Sequence, residues 1–198
     1  MIKALVLDFG GVLADEGFRE GLKAIARNNG LDTEDFFAVA RNLIYQSGYV
    51  TGETDEHGYW EAIRVKSNIR NGDNELRREI LSRFVLRRPM LEEVKRVRAK
   101  GVIVALLTDQ TNWLDELNQQ EPFYQYFDHV FNSFDLTKSK RDASLFKEIA
   151  GQLGVKPQEI LFVDDTPENL ERAQAQGWKT LRFTSVENFR RAIKEENI

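Results

Sequence analysis

The chain predicts an α/β fold: a doubly wound (Rossmann-like) parallel sheet core with a small all-helical cap inserted after the first strand. Three observations point that way. Short apolar, β-rich runs recur at Leu5 to Leu7, Val102 to Leu107, Val130 to Phe131, Ile160 to Val163 and Thr180 to Phe183. Helical patterns closed by glycine lie between the later runs. One long stretch, from about Asp15 to Arg88, has helical periodicity and no convincing strand.

The elements follow in order. The first strand, within Ile2 to Leu7, runs directly into Asp8 and the turn Phe9-Gly10-Gly11-Val12. Helical spacing then appears in Phe18 to Ala26, Thr33 to Tyr45, Asp55 to Val65 and Asn74 to Phe84. This insert leaves the chain only a few residues after Asp8, so both connections rise from the carboxyl end of the sheet. An insert there sits over that end as a cap, able to exclude water and to select substrates. The expected division is residues 1–14 and 89–198 as the α/β core and 15–88 as the helical cap. Beyond the insert, Leu91 to Lys100 stops at Gly101, Leu145 to Leu153 at Gly154, and Asn169 to Gln176 at Gly177. Helix and strand alternate with short turns, which reads as right-handed βαβ units, because parallel neighbours need crossover connections.

Composition narrows the partners. A length of 198 residues allows one α/β domain with an insertion and leaves little room for two independent domains. The formal charge is -4, with 28 basic and 32 acidic residues interspersed. There is no basic tract for nucleic acid or an anionic membrane, so a small molecule is the expected partner of a monomer or homodimer. With no cysteine there is neither a disulfide framework nor a thiolate metal site, and two histidines, His57 and His129, are too few for a histidine-rich one. Any metal must be held by oxygen. The N-terminus lacks the pattern of a signal peptide and no apolar run approaches a membrane span, so a cytoplasmic protein is expected.

Candidate chemistry gathers at strand ends, where open α/β sheets place their sites. Asp8 at the end of the first strand is a candidate nucleophile toward a phosphoryl group; taken alone it also fits a turn-forming aspartate. Asp164-Asp165 ends the Ile160 to Val163 run, with Asn169 one helical turn further on. Adjacent carboxylates repel, and they stay together where a cation or strong donors compensate. Mg2+ suits that set, since it takes carboxylates, waters and a phosphate oxygen. Asp8, Asp165 and the Gly10 carbonyl are candidate ligands; one of the two later aspartates could instead cap the helix starting at Pro167. Thr108 offers a hydroxyl and neighbouring amides to phosphate oxygens, and Lys140 an ammonium. Singly, each also fits an ordinary turn hydroxyl or a surface lysine.

The order Asp8-Phe9-Gly10-Gly11-Val12, Leu106-Leu107-Thr108, Lys140, Asp164-Asp165-Thr166-Pro167-Glu168-Asn169 resembles the four motifs of the haloacid dehalogenase (HAD) superfamily, along the whole chain. It is most similar to the branch containing the bacterial α-glucose-1-phosphate phosphatase and the phosphatase domain of soluble epoxide hydrolase, whose caps Thr51-Gly52-Glu53 and Tyr59-Trp60-Glu61 also resemble. The resemblance implies a nucleophile at Asp8 and Mg2+ bound by the Asp8 carboxylate, the Gly10 carbonyl and Asp165. It implies support from Asp164 and Asn169, phosphate held by Thr108 and Asp109, and Lys140 paired with both phosphate and Asp8. The implied activity is a magnesium-dependent phosphatase of a small phosphorylated metabolite, working through an aspartyl-phosphate.

Three positions depart from the pattern. Gly10 stands where most family phosphatases carry a second aspartate as general acid/base, a loss worth about a hundred- to ten-thousandfold in rate. The glucose-1-phosphate-type relatives also have glycine there, and an anomeric hydroxyl leaves more readily than an ordinary alcohol, so the resemblance implies a phosphate with a relatively acidic leaving group, such as a sugar 1-phosphate. Asp109 replaces a common asparagine and is expected to face solvent or to pair with Arg141 or Lys138; as a looser option it supplies the missing acid. Arg141 replaces a common proline. The competing readings are a metal-independent haloacid dehalogenase, which the Asp164-Asp165 pair opposes, and a catalytically silent phosphometabolite-binding homologue. Trp60, Trp113, Trp178, Phe36-Phe37 and the aromatics of Phe123 to Phe127 read as packing residues, with Tyr45 and Trp60 as candidates to face substrate. His57 reads as a solvated or capping residue near the start of a cap helix.

Overall fold

Five parallel strands form one sheet in the order β3-β2-β1-β4-β5 in the computed structural model, which describes all 198 residues. They are β1 (Ala4–Leu7), β2 (Ile103–Thr108), β3 (His129–Asn132), β4 (Ile160–Asp164) and β5 (Lys179–Arg182). Side chains alternate across a strand, and the sequence uses both faces. Leu5, Leu7, Val104, Leu106, Leu161 and Val163 enter one apolar core. Ala4, Val6, Ala105, Leu107, Ile160 and Phe162 enter the other. Burying a Val, Leu or Phe of this kind contributes roughly 1.5–3 kcal/mol each, so the three central strands are fixed by apolar contact on both sides.

Ten helices accompany the sheet: α1 (Gly17–Asn28), α2 (Thr33–Gln46), α3 (Glu56–Ser67), α4 (Asp73–Leu81), α5 (Arg88–Ala99), α6 (Trp113–Gln120), α7 (Ser133–Leu136), α8 (Ser144–Leu153), α9 (Pro167–Ala175) and α10 (Val186–Glu195). Helices α5, α6 and α10 cover the first face, and α8 and α9 the second. Local chemistry marks their ends. Asp32 accepts from Glu34 N and Asp35 N at 2.9 Å to start α2, Asp55 accepts from Gly58 N at 2.8 Å to start α3, and Gly154 closes α8 in the left-handed region at φ 68°.

The expectation for the last strand needs correction, and two helices, α6 and α10, lie outside the patterns read from the sequence. Thr180 to Phe183 reads as a buried strand, yet β5 is a half-exposed sheet edge with solvent-facing Lys179 and Arg182. Helix α6 escapes the periodicity because its apolar residues, Trp113, Leu114 and Leu117, span only one turn. In α10 the apolar contact narrows to Phe189 and Ile193 among charged neighbours, with Ser185 accepting from Asn188 N at 3.1 Å as its cap.

Helices α1 to α4 form the cap between β1 and β2. Its two connections are paired with each other: Asp15 N donates to Val85 O at 3.0 Å and Arg87 N to Leu13 O at 2.9 Å. The Arg87 side chain then donates to the carbonyls of Val12 and Ala14 at 2.9 and 2.8 Å. A continuous apolar core joins cap to sheet. Its centre is aromatic: Trp113 of α6 lies 5.9 Å from Trp60 and 5.6 Å from Tyr49, between ring centroids. Glu56 accepts from both indoles, at 3.0 Å from Trp60 and 3.3 Å from Trp113. Trp60, a candidate substrate-facing residue, is therefore fully buried in the seam and does not line the cleft.

Candidate active site

The site lies at the carboxyl ends of β1, β2 and β4, where the strand order turns about β1 and adjoining loops diverge. Register does most of the assembly. Leu7 pairs with both Leu106 and Val163, so the next residues, Asp8 and Asp164, emerge side by side, and Asp8 N donates to Val163 O at 2.9 Å.

Asp8, Lys140 and Asp164 form one buried network. The Lys140 ammonium lies 2.9 Å from Asp8 Oδ1 and 2.8 Å from Asp164 Oδ2, and the residue is only 2% exposed, which rules out a surface lysine. Phe9 N donates to the same Asp8 Oδ1 at 2.7 Å, leaving Oδ2 as the oxygen with no protein donor. Asp164 is used up as an acceptor: Asn169 Nδ2 donates to Oδ2 at 3.1 Å and Thr166 N to Oδ1 at 2.7 Å. Burial by itself would pull Lys140 down, but Asp164 and Asp8 hold its pKa well above the ordinary lysine value. Burial pushes Asp8 up, opposed by Lys140 and reinforced by Asp164; Asp165 is raised by burial and by Asp164.

The donor set suits a hard cation. Ligating oxygens of Asp8, Asp164 and Asp165 lie within 4.8 Å of one another, so three carboxylates face one ammonium and carry an excess of negative charge. The loop also comes close: a Cβ on Gly11, whose φ is +79°, would stand 2.2 Å from Asp165 Oδ2, so only glycine lets the backbone pass there. Neither aspartate caps α9, which has no side-chain cap.

Thr108 is buried at the end of β2. The loop after it is held by residues that sequence reasoning did not single out: Asn132 Oδ1 accepts from Gln110 N at 3.2 Å, and the single Ser133 hydroxyl proton is shared between Val50 O at 2.7 Å and Gln110 O at 3.1 Å. Asp109 neither faces solvent nor pairs with Arg141 or Lys138. It accepts from Lys140 N at 2.8 Å through Oδ1 and from Tyr45 OH at 3.1 Å through Oδ2. Both oxygens are thus engaged, which argues against Asp109 as the missing acid. Lys138 binds Glu148 and Ser144 instead, while Arg141 packs on the Tyr45 ring, 3.3 Å from its centroid.

Glu16, at the start of α1, was also missed. Its Oε2 lies 3.1 Å from where a Cβ on Gly10 would stand, so its tip fills the space that a short acidic side chain at position 10 would use. Its other oxygen accepts from Arg19 N at 3.3 Å. Burial and the charge of Asp165 raise its pKa. The only sequence signal was an acidic residue at a helix start, which a capping role explains equally well.

Asp8, Gly10, Glu16, Thr108, Asp109, Lys140, Asp165 and Asn169 open on one cleft of about 910 Å³, walled by the strand-end loops and by α1 and α2. The fold and this site define an α/β hydrolytic centre built on a strand-end aspartate, a lysine and further carboxylates. Residues 2–177 match the haloacid dehalogenase-like hydrolases, and the chain belongs to that family. It is 28% identical over 103 residues to bifunctional epoxide hydrolase 2 of Rattus norvegicus, matching 48% of this chain and 18% of that protein. It is 32% identical over 93 residues to enolase-phosphatase E1 of Aquifex aeolicus, matching 46% of this chain and 42% of that protein. The chain thus spans less than half the length of these curated relatives. Among solved structures, a predicted HAD-like hydrolase of Porphyromonas gingivalis superposes with a TM-score of 0.80 at 22% identity, covering 100% and 98% of the two chains. A HAD family enzyme of Bacteroides thetaiotaomicron in complex with magnesium and inorganic phosphate gives 0.74 at 23%, covering 93% and 95%. L-2-haloacid dehalogenase of Xanthobacter autotrophicus gives 0.69 at 19%, covering 100% and 84%. No helix is long and apolar enough to cross a membrane.

Proposed function

We propose that this chain is a magnesium-dependent phosphatase that hydrolyses a small phosphorylated metabolite through an aspartyl-phosphate on Asp8, with residues 15–88 as the cap over the cleft. One observation carries the reading: Asp8 has one oxygen held by Lys140 and Phe9 N and the other unspent, beside a carboxylate pair. Lys140 fixes and partly neutralises the nucleophile, and Asp164 and Asn169 fix Lys140. Asp8, the Gly10 carbonyl and Asp165 would hold Mg2+, which when bound supplies the charge that lets a carboxylate approach a phosphate dianion. Thr108, the amide of Asp109 and Lys140 hold the phosphoryl oxygens.

Asp8 Oδ2 attacks phosphorus as the bond to the leaving oxygen breaks. The Glu16 carboxyl, standing where Gly10 lacks a side chain, gives that oxygen its proton. In the second half water attacks phosphorus, Glu16 takes the proton, and the bond to Asp8 breaks to release phosphate. A proton donor there relaxes the preference for an acidic leaving group that Gly10 suggests, so sugar 1-phosphates are one substrate class among several. The relative named an enolase-phosphatase and the structural neighbour holding magnesium and phosphate support this reading. The dehalogenase reading shares the fold, but a dication beside Asp8 would weaken its attack on carbon, and the carboxylate pair has no use in that reaction.

The test is phosphate release from p-nitrophenyl phosphate and a sugar phosphate panel, with Mg2+ and with chelator. Asp8→Asn is expected to lower it by at least about a thousandfold and chelation to abolish it. Chelator-resistant halide release from 2-haloacids would favour the dehalogenase; bound Mg2+ with no phosphate release from any ester would favour the silent homologue.

A further inference from the structure

Five arginines line the cleft, and three of them, Arg19, Arg41 and Arg141, stand along one face of α2 with no acidic partner; Arg172 and Arg182 lie apart from that face, on α9 and β5. Phe37, Arg41 and Tyr45 are spaced i, i+4, i+8, which puts them on one side of the helix, and all three line the cleft that holds Asp8. Arg19 of α1 lies over Phe37, 4.9 Å from its ring centroid, and Arg141 of the core lies over Tyr45 at 3.3 Å. Arg41 stands between them.

Elsewhere in the molecule arginines are commonly matched with carboxylates, as Arg64 with Asp73 and Arg98 with Asp128. In the cleft, Arg19 and Arg141 are steadied by aromatic rings, which restrain a guanidinium while leaving its N–H groups free for planar anions. Lys140 cannot do their work, since Asp8 and Asp164 take two of its three N–H donors and the transferred phosphoryl group the third. Glu16, Glu20 and Glu168 also line the cleft, but no ion pair joins them to the three arginines. From Phe37 to Tyr45 the helix rises about 12 Å, and Tyr45 sits at the phosphate end through its bond to Asp109. The row therefore runs away from the nucleophile over the length of a small metabolite.

We propose that the substrate is a phosphomonoester carrying a second anionic group, a carboxylate or another phosphate, held by Arg41 between Arg19 and Arg141. The proposal rests on the phosphatase reading for the phosphate that is cleaved. It predicts that neutral-tailed esters such as glucose 1-phosphate and p-nitrophenyl phosphate are the poorer substrates.

The full-length protein with Mg2+ is assayed on p-nitrophenyl phosphate, glucose 1-phosphate, 2-phosphoglycolate and fructose 1,6-bisphosphate. One or both anion-tailed esters are expected to exceed the neutral-tailed ones in kcat/KM by about tenfold or more, the size of one charge-assisted contact, and their ranking identifies the second anion. Arg19→Gln with Arg41→Gln should erase that ratio, through KM. An unchanged ratio, or no preference in the wild type, overturns the proposal. Calorimetric binding of the same three metabolites to the Asp8→Asn protein, with and without the arginine substitutions, tests the row without turnover. Failure of the wild type to cleave even p-nitrophenyl phosphate counts against the phosphatase reading; equal affinities for neutral- and anion-tailed ligands in Asp8→Asn count against the row.

Discussion

The floor of the cleft and its roof are built on opposite principles. In the floor, Asp8, Lys140 and Asp164 are buried and Asn169 half-buried, the four satisfy one another, and strand register brings Asp8 and Asp164 together. The roof meets the core through packed aromatic rings, while its Arg19 and Arg41 stand exposed at the cleft, Arg19 over the Phe37 ring. A floor of this kind serves one reaction whatever the substrate, since each member is needed by the next. The roof can change its arginines without disturbing the sheet. Tyr45 is where the two meet: its hydroxyl binds Asp109 and its ring carries Arg141, so two of the three departures from the family pattern answer to one cap residue.

Removing the floor's cation is the strongest way to break the contrast. Lys140→Met leaves Asp8 and Asp164 buried together without their partner, and is expected to cost about 3–5 kcal/mol, read by chemical denaturation, together with all turnover. A loss near zero would mean that the floor is not a mutually dependent network. Glu16→Gln, at the junction of floor and roof, should slow hydrolysis of alkyl phosphates by about a hundredfold and that of p-nitrophenyl phosphate far less. Equal losses on both would make Glu16 only a helix cap. Tyr45→Phe keeps the ring under Arg141 and deletes the bond to Asp109, an expected cost of about 0.5–1.5 kcal/mol in stability or, through KM, in binding. The smallest effect belongs to the far side of the roof, where Asp73 accepts from His57 Nδ1 at 2.8 Å and raises the histidine above its ordinary value of 6.5. That pair supports the cap fully below pH 6.5 and fades as pH rises through the raised value. NMR titration should show the shift, and Asp73→Asn should remove it without altering turnover.

Much of the floor was legible because the chemistry follows apolar runs, and a parallel sheet brings the carboxyl ends of β1, β2 and β4 together. Asp8, Thr108, Asp164 and Asp165 could be placed on that ground. Lys140 could not, since it lies in a loop: resemblance supplied its pairing with Asp8, and only packing explains its burial. The roof was read as helices but not as contacts. Trp60 appeared free to face substrate because nothing local to it announces Trp113, and Asp109 appeared solvated because Tyr45 lies 64 residues away. Gly10 was legible as a loss; Glu16, which fills the gap, was not, because closing it depends on how α1 docks over the loop. The edge position of β5 and the short apolar stripes of α6 and α10 were hidden for the related reason that burial on one narrow side leaves little periodicity.

The position of Glu16 has a temporal consequence. A proton-transfer group on the nucleophile's own loop would be ready at every moment, whereas one carried at the threshold of the cap is in register only while α1 rests on Gly10. In the proposed mechanism, the phosphorylated form of Asp8 is therefore expected to be short-lived while Glu16 stands over Gly10 and long-lived when it does not.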